Sequence, residues 1–319
     1  MPNISTHDDL TIAVLIPCYN EEAAIAGVVN DFRKALPSAD IYVYDNNSSD
    51  KTVEVARAAG AHVRSEPLQG KGNVVRRMFA DVEADIYVMT DGDDTYDASA
   101  APAMVNKMVD ECLDVVNGKR VHEDTEAYRP GHQLGNILLT SLVAGVFGKR
   151  FDDMLSGYKV FSRRFAKSFP SLSSGFEIET ELTVHALELR MPVAEVETSY
   201  GARPEGSESK LSTFGDGFRI LKTIGIFIKE ERPLQFFSIF SGLFFFVAIA
   251  LSIPLIFTYI ETGLVPRLPT AVLVTGLMLM AFLSFACGLI LDTVTRGRRE
   301  LKRLQYLSVS NRLGSNIRP

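Results

Sequence analysis

Apolar residues are arranged in two different ways along the chain. Up to residue 200 they form short runs, such as the run over 11–17, which alternate with segments where apolar positions recur every three or four residues, such as 21–36. Short apolar runs predict buried strands, and the longer recurrence predicts helices with one buried face. Strands that alternate with helices are typical of an α/β fold in which a mostly parallel sheet carries helices on both faces.

Polar clusters follow the predicted strands. We predict strands over 11–17, 41–44, 61–64 and 85–89, and helices over 21–36, 52–59 and 73–82. The clusters at 17–21, 45–50 and 91–97 come directly after three of these strands. Because the carboxyl ends of parallel strands meet at one edge of a sheet, where ligands of such folds bind, the pattern predicts a nucleotide pocket at this edge.

Two long segments without charged residues, 236–260 and 268–291, have a different character. Each is longer than the roughly 20 residues that a helix needs to cross the hydrocarbon core of a bilayer. The short link between them predicts a transmembrane hairpin, and the alternative is a buried helical hairpin of a soluble protein. Lysines and arginines cluster before the first segment and after the second, so the positive-inside rule places both ends of the hairpin in the cytosol.

The segment 212–231 combines aromatic and aliphatic residues with interleaved basic ones. This combination predicts an amphipathic helix in the membrane interface, and the alternative is an ordinary core helix. We therefore expect four parts. They are a large cytosolic domain over 1–210, interfacial juxtamembrane helices over 211–234, the transmembrane hairpin over 235–295 and a cytosolic basic tail over 296–319.

Charge and cysteine content exclude some classes of protein. The formal net charge of −6 argues against a nucleic-acid-binding protein, which would carry a basic excess. The three cysteines are far apart and form neither a disulfide framework nor a metal-binding set, which favours a reducing compartment. The polar start of the chain lacks the basic and apolar regions of a secretory signal, so we expect the chain to begin in the cytosol.

The acidic run Asp91-Gly92-Asp93-Asp94 follows the predicted strand over 85–89. Neighbouring carboxylates repel one another unless a cation lies between them. Oxygen ligands of this kind suit Mg²⁺ or Mn²⁺, which would also contact a substrate diphosphate. The run therefore predicts a divalent metal site.

Several motifs in order along the chain carry a family resemblance. The motifs are Pro17-x-Tyr19-Asn20-Glu21, Asp45-Asn46-Asn47-Ser48-x-Asp50, Asp91-x-Asp93, Asp153-x-x-Ser156-Gly157-Tyr158-Lys159, the run 176–182 and the run 203–211. Together they resemble the family-2 glycosyltransferases of GT-A fold, in particular the polyprenyl-phosphate branch with dolichol-phosphate mannose synthase and bactoprenol glucosyltransferase. The resemblance covers about residues 11–232, and the two-helix tail is similar to that of the bactoprenol enzymes.

The resemblance implies a nucleotide-sugar site. The residues it assigns to this site are Pro17, Tyr19, Glu21, Asp45, Asn47, Lys71, Asp91 and Gly92. Asp45 is expected to accept hydrogen bonds from the base. Gly70-Lys71-Gly72 resembles a loop of dolichyl-phosphate glucosyltransferases, and the ammonium of Lys71 suits the donor diphosphate. The alternative for Lys71 is a solvated surface lysine.

The resemblance also implies the metal ligands. Asp93 is expected to be the principal ligand of Mg²⁺ or Mn²⁺, with Asp91 beside it. Mannose synthases have a Gln two places after the second Asp of this motif, where this chain has Thr95. The third protein ligand is therefore open, with Asp94 and Asp97 as candidates.

On the acceptor side, a lipid phosphate is already ionised, so it needs positioning and charge compensation more than deprotonation. The candidates are Arg120, Arg129, Arg203, Ser209 and Lys210, with His132 as an alternative to Arg120 or Arg129. Asp153 is expected to orient the acceptor or act as a base, unless it is a structural helix cap. The expected catalytic set is Asp93, Asp153 and Arg203. At least one of Glu177, Glu179 and Glu181 is expected to pair with Arg163 or Arg164.

The expected reaction is inverting transfer of one hexose from a nucleotide sugar to undecaprenyl or dolichyl phosphate at the cytosolic membrane face. UDP-glucose or UDP-N-acetylglucosamine is favoured over GDP-mannose as donor. Processive polysaccharide synthases resemble one another in a Q-x-x-R-W segment and in a larger number of spans. That class is disfavoured because this chain has no Trp and only two predicted spans. A non-catalytic membrane scaffold and a sugar nucleotidyltransferase are further alternatives. The expected setting is a bacterial or archaeal cytoplasmic membrane, with a flippase, a periplasmic or lumenal glycosyltransferase and a homo-oligomer as open partner predictions.

Overall fold

The fold is taken from a computed structural model, which describes residues 10–122, 150–201, 203–204, 225–226 and 229–313. The chain forms β1 (Ile12–Cys18), α1 (Ile25–Ala35), β2 (Asp40–Asp45), α2 (Thr52–Ala58), β3 (His62–Ser65), α3 (Lys71–Asp81), β4 (Ile86–Met89), a 3₁₀ turn (Ala98–Ala100), α4 (Ala101–Asp110), β5 (Val115–His122), β6 (Lys159–Ser162), α5 (Arg163–Ser168), α6 (Ile178–Glu188), β7 (Val193–Tyr200), α7 (Pro233–Thr262) and α8 (Leu268–Ser308). The alternation of strands and helices predicted for the first part of the chain is confirmed. Helix α1 starts four residues later than predicted because Glu21 to Ala24 form a turn.

The strands form one seven-stranded sheet in the order β3-β2-β1-β4-β6-β5-β7. Only β6 runs antiparallel to its neighbours, and the predicted mostly parallel sheet is therefore confirmed. Cys18 at the end of β1 lies opposite Asp45 at the end of β2. Because β6 is reversed, its first residue, Lys159, lies opposite Met89 at the end of β4. The segment that leads into β6 therefore reaches the same edge of the sheet as the polar clusters.

Apolar side chains from the strands and helices form the core that holds this edge in place. Val14 and Ile16 of β1 pack with Ile25 and Phe32 of α1, and all four are almost completely buried. The alternation of side chains along a strand puts these β1 residues on one face of the sheet. Truncation of a core aromatic such as Phe32 to Ala is expected to cost about 3–5 kcal/mol of unfolding free energy.

A separate compact unit, residues 222–301, contains α7 and most of α8. Both helices are long and apolar enough to cross a membrane, with mean hydropathies of 2.5 and 2.3 in their most apolar windows. Most of their large apolar side chains are exposed, which is the arrangement that a lipid environment favours. Gly263 ends α7 in the left-handed conformation, and its N–H donates to the carbonyl oxygen of Tyr259 at 2.8 Å.

The two predicted apolar spans fall within these helices, and α8 continues to Ser308 through residues predicted as a basic tail. The hairpin's orientation and the boundaries of the four predicted parts stay predictions. Most of the predicted interfacial segment lies outside the described residues.

The C-terminal segment 302–313 belongs to the larger unit, which comprises residues 1–221 and 302–319. The hydroxyl of Tyr306 donates to Asp114 Oδ2 at 2.6 Å, and Lys302 Nζ lies 2.6 Å from Glu188 Oε2. Leu313 is 5% exposed and joins the apolar core. Asp114 directly precedes β5, so this contact lies at the end of that strand opposite the polar clusters.

Candidate active site

The loops after β1 and β2 are joined by hydrogen bonds between backbone N–H groups and side chains. The N–H of Glu21 donates to Thr52 Oγ1 at 2.8 Å, and Asn20 Oδ1 accepts from the N–H of Ser49 at 2.8 Å. Asp45 accepts from the N–H of Ser48 at 3.2 Å. These contacts bring the predicted nucleoside-site residues together at one edge of the sheet, with Pro17, Tyr19 and Glu21 at the end of β1 and Asp45 at the end of β2.

Asn46 fixes the next loop, and it was not among the predicted site residues. Its side-chain amide donates to the carbonyl oxygens of Glu66 and Leu68, each at 2.8 Å, and its Oδ1 accepts from the N–H of Gly70 at 2.7 Å. Asn47, which was predicted to bind the nucleotide, donates to the carbonyl oxygen of Pro67 at 2.9 Å. Both amides therefore hold the loop that leads to Lys71, and a direct contact of Asn47 with nucleotide stays a prediction.

Lys71 is a buried member of the site, so the alternative of a solvated surface lysine is wrong. Its Nζ lies 2.5 Å from Asp91 Oδ1 and 2.5 Å from Glu179 Oε1, and its side chain is 10% exposed. Burial lowers the pKa of Lys71, but attraction to the two carboxylates outweighs burial and raises it above the ordinary value. The ammonium therefore stays charged between two carboxylates.

Asp93 is buried at the centre of the acidic loop. Its Oδ2 lies 2.6 Å from Arg203 Nη2, and its Oδ1 accepts from Thr95 Oγ1 at 2.7 Å. Burial and repulsion from Asp91 raise the pKa of Asp93, although Arg203 opposes this shift. Each positive charge beside such a carboxyl group stabilises its ionised form.

Two glycines allow the acidic loop to pack closely. A Cβ on Gly92 would lie 2.6 Å from Cys18 Sγ, and a Cβ on Gly157 would lie 2.4 Å from Asp91 Oδ2. A side chain at either position would therefore displace the side chain of Cys18 or Asp91 from its place.

Asp91 and Asp93 are the candidate ligands for a divalent cation, since carboxylate oxygens suit Mg²⁺ or Mn²⁺, and each is paired here with a basic side chain. Mg²⁺ commonly binds through one or two carboxylates and completes its shell with waters and substrate phosphates. Asp94 has a positive φ of 59° and its carboxylate faces Gly27 of α1, while Asp97 caps the 3₁₀ turn through the N–H of Ser99. Across the described ranges, no group of three or more His, Cys, Asp or Glu is arranged for a metal. A ligand role for Asp94 or Asp97 stays a prediction that this arrangement does not support.

Asp153 forms a two-point ion pair with Arg120. Asp153 Oδ2 lies 2.7 Å from Arg120 Nε, and Asp153 Oδ1 lies 2.7 Å from Arg120 Nη2. Arg120 also lies over the ring of Tyr200, with its Cζ 5.5 Å from the ring centroid. Such a paired and stacked guanidinium is held in one orientation. Asp153 therefore orients Arg120, and its role as a helix cap stays a prediction.

Beneath this pair lies a buried polar network that the sequence reasoning missed. Asn117 donates to the backbone oxygen of Asp153 and to Glu195 Oε1, each at 2.8 Å, and its Oδ1 accepts from Lys159 Nζ at 2.5 Å. Lys159 is 1% exposed, and burial lowers its pKa to about 8. The network fixes the backbone that carries Asp153.

The end of β7 is tied to the acidic loop by backbone hydrogen bonds. The N–H of Gly201 donates to the carbonyl oxygen of Thr95 at 2.9 Å, and Tyr96 forms a bridge with Tyr200. Arg203 follows two residues later and reaches Asp93. The predicted acceptor residues Arg129, Ser209 and Lys210, and the alternative His132, lie outside the described residues.

The three glutamates at the start of α6 have different partners. Glu179 binds Lys71, and Glu181 accepts from the N–H groups of Leu172 and Ser173, each at 2.8 Å. The predicted pairing of one of these glutamates with Arg163 or Arg164 is wrong. The side chain of Arg163 bonds to Glu83, and that of Arg164 contacts Tyr306.

A mixed α/β sheet with paired aspartates at its carboxyl edge is the architecture of a GT-A glycosyltransferase, and similarity to known proteins identifies that class. Residues 13–169 match the family described as "Glycosyl transferase family 2". Glycosyltransferase AglJ of Haloferax volcanii is 35% identical over 233 residues, which are 71% of this chain and 75% of AglJ. The chain belongs to glycosyl transferase family 2.

Two further similarities describe the relatives. The dolichyl-phosphate hexose transferase of Haloferax volcanii is 30% identical over 227 residues, which are 71% of this chain and 97% of that protein. The crystal structure of glucosyl-3-phosphoglycerate synthase from Mycobacterium tuberculosis with Mn²⁺, UDP and glucosyl-3-phosphoglycerate matches with a TM-score of 0.56 and 24% identity. That match covers 68% of this chain and 80% of the synthase, and it supports the GT-A fold.

Proposed function

We propose that this glycosyltransferase transfers one hexose from a nucleotide sugar to a polyprenyl phosphate, with inversion at the anomeric carbon. The observation that carries the proposal is the charge arrangement at the carboxyl edge of the sheet. Asp91 and Asp93 each lie within 2.6 Å of a basic side chain, Lys71 and Arg203 respectively. Two carboxylates for a cation, flanked by two basic groups for phosphates, suit a donor diphosphate and a phosphate acceptor.

The donor is proposed to be UDP-glucose or UDP-N-acetylglucosamine, with GDP-mannose as the competing candidate. A structural neighbour was crystallised with Mn²⁺ and UDP, and a relative from Dictyostelium discoideum is named dolichyl-phosphate beta-glucosyltransferase. Asp91 and Asp93 would hold Mg²⁺ or Mn²⁺. When bound, the divalent ion would neutralise charge on the leaving diphosphate.

The acceptor is proposed to be a polyprenyl phosphate at the cytosolic face of a bacterial or archaeal membrane. Relatives named for dolichyl phosphate and the two long apolar helices support this acceptor. The described residues carry no observation that bears on a flippase, a second glycosyltransferase or a homo-oligomer, and these partners stay predictions.

The reaction needs no proton transfer to the enzyme. An oxygen of the ionised acceptor phosphate attacks C1 of the sugar, the new C1–O bond forms, and the bond from C1 to the donor diphosphate breaks. The nucleoside diphosphate leaves with the electron pair. Lys71 and Arg203 would compensate charge on the phosphates, while Arg120, held by Asp153, would orient the acceptor. The pairing of Asp153 with Arg120 favours orientation of the acceptor over a role as base.

Transfer of radiolabelled sugar to polyprenyl phosphate by the full chain in detergent tests the proposal. UDP-glucose, UDP-N-acetylglucosamine and GDP-mannose are compared with Mg²⁺, with Mn²⁺ and with EDTA. We expect one donor to give a chloroform-soluble product that EDTA abolishes. A product that resists EDTA would contradict the metal assignment. Absence of lipid product from every donor would contradict the acceptor and favour the scaffold alternative.

A further inference from the structure

Glu179 is a buried carboxylate whose role the family assignment does not supply. It lies in the first turn of α6, and its side chain is 6% exposed. Its Oε1 lies 2.5 Å from Lys71 Nζ, while Asp91 lies at the same distance from that ammonium. Lys71 therefore bridges two carboxylates from different elements of the fold.

The two carboxylates differ in their access to solvent. The side chain of Asp91 is 29% exposed, whereas those of Glu179 and Lys71 are 6% and 10% exposed. Asp91 is therefore the carboxylate that solvent reaches, and Glu179 is the buried one. A buried carboxylate without a cation beside it costs free energy. We therefore expect the ion pair of Glu179 with Lys71 to persist more than that of Asp91 with Lys71.

The backbone around Lys71 keeps the distance to α6 fixed. The N–H of Gly72 donates to the carbonyl oxygen of Ser174 at 3.0 Å. A Cβ on Gly70 would lie 2.1 Å from the oxygen of Ser174, and a Cβ on Gly72 would lie 2.2 Å from that of Ser173. Gly70 also has a φ of 125°, which only glycine adopts readily. The glycines on both sides of Lys71 thus permit direct backbone contact with the segment before α6.

We propose that Glu179 is a positioning residue that holds the ammonium of Lys71 against the second phosphate of the donor, an inference that rests on the proposed function. Asp91 would hold a divalent ion, and its charge would then be compensated by that ion and no longer by Lys71. Glu179 then remains as the protein partner of Lys71, and the diphosphate takes the place of Asp91. The fixed anion on the interior side keeps Lys71 from swinging into solvent.

Because the proposed contact is with the second phosphate, it predicts a ligand-dependent effect. Lys71 should strengthen the binding of a nucleoside diphosphate. It should not strengthen the binding of a nucleoside monophosphate, which lacks the second phosphate. Loss of Glu179 should lower the affinity for the diphosphate and leave the affinity for the monophosphate nearly unchanged. A purely structural role would weaken both ligands equally or lower the thermal stability alone.

The experiment is titration calorimetry on the full chain in detergent with Mn²⁺, using UDP, UMP, GDP and GMP as ligands. The variants are wild type, Glu179→Gln, Lys71→Met, the double variant, and Glu181→Gln as the matched control from the same buried helix turn. In Glu179→Gln we expect roughly tenfold weaker binding of the preferred diphosphate, with binding of the matching monophosphate changed less than twofold. In the Lys71→Met background, Glu179→Gln should cause little further loss of diphosphate affinity. Glu181→Gln should keep the wild-type ratio of diphosphate to monophosphate affinity.

Thermal unfolding of each variant separates folding from positioning. If Glu179→Gln does not fold, Glu179→Asp is used instead. Its carboxylate keeps the charge but lies farther from Lys71, so we expect the same fall in the ratio of diphosphate to monophosphate affinity. An unchanged ratio of diphosphate to monophosphate affinity in a folded variant would overturn the inference while leaving the proposed function in place. Failure of the wild-type chain to prefer either diphosphate over its monophosphate would instead overturn the proposed donor site itself.

Discussion

The hydroxyl of Thr95 donates a hydrogen bond to Asp93, with Thr95 Oγ1 2.7 Å from Asp93 Oδ1. Thr95 stands where the resembling mannose synthases have a glutamine, and it orients an aspartate from this position. One oxygen of Asp93 is therefore engaged by Thr95, and the other faces Arg203.

Replacement of Thr95 by Val should raise the Mn²⁺ concentration that transfer requires, without unfolding the protein. The variant keeps the shape of the side chain but removes a hydrogen bond to a charged group, which is worth about 1.5–3 kcal/mol. We expect the Mn²⁺ concentration for half-maximal transfer to rise roughly tenfold. Thr198→Val is the matched control, since the hydroxyl of Thr198 bonds to a backbone oxygen in the neighbouring strand. An equal metal requirement in both variants would contradict the orienting role.

Replacement of Asp93 by Asn should nearly abolish transfer while the protein stays folded. The amide has the same size but cannot supply the negative charge that the proposed cation needs. We expect a fall in kcat of roughly 10²–10³-fold, measured with saturating donor and acceptor. Asp97→Asn, in the same loop, should retain most activity because Asp97 caps a 3₁₀ turn. Near-normal turnover of Asp93→Asn would remove the metal assignment.

Replacement of Asp153 by Asn tests whether this carboxylate orients Arg120 or acts as a base. With the ion pair weakened, Arg120 loses its fixed orientation, so the KM for lipid acceptor should rise roughly tenfold while the donor KM changes little. The shape of the pH–rate profile should stay that of wild type, because no proton moves to Asp153. Loss of an acidic limb from the profile would point to a base instead.

His185 should make the larger unit sensitive to acid. Among the described residues neither ring nitrogen has a hydrogen-bond partner, and burial lowers the pKa of His185 to about 3. Between the ordinary value of about 6.5 and pH 3, the unfolded chain binds a proton that the folded chain does not bind. The free energy of unfolding should therefore fall as the pH drops from 6.5 toward 3. Denaturant melts of His185→Leu should show a shallower fall, and an equal slope in both proteins would contradict the assignment.

Replacement of Tyr306 by Phe should destabilise the larger unit, although Tyr306 is far along the chain from the sheet. The change removes the hydroxyl that donates to the buried carboxylate of Asp114 at 2.6 Å. Loss of a hydrogen bond to a charged group should cost about 1.5–3 kcal/mol of unfolding free energy. Ser308→Ala is the control, because Ser308 is exposed and bonds within its own helix. Equal melting temperatures for the two variants would contradict a stabilising contact.

The sequence predicted the features that depend on local pattern. Alternation of apolar runs located β1, β2, β3 and β4, and the position of Asp91 and Asp93 directly after β4 located the acidic pair. Both follow from periodicity and from the rule that parallel strands end at a shared edge. The alternation of Glu177, Glu179 and Glu181 fits a strand as well as the start of a helix, so local pattern alone does not predict α6.

The features that the sequence did not predict depend on contacts between distant residues. Asn47 and not Asn46 was the predicted site residue, yet the fold places Asn46 against the backbone of Gly70. Glu179 and Lys71 are separated by more than one hundred residues, and no local pattern signals their contact. The segment 296–308 was predicted as a basic tail because five of its residues are Lys or Arg, and its helical structure was not predicted.

The contact made by residues 302–313 has a consequence for the order of synthesis. Leu313 and Tyr306 complete the packing of a unit whose strands were translated long before them. Leu313 and Tyr306 follow both apolar segments in the chain, so they are translated after those segments. In a nascent chain the larger unit therefore lacks the contacts of Tyr306 and Leu313 while α7 and α8 are translated.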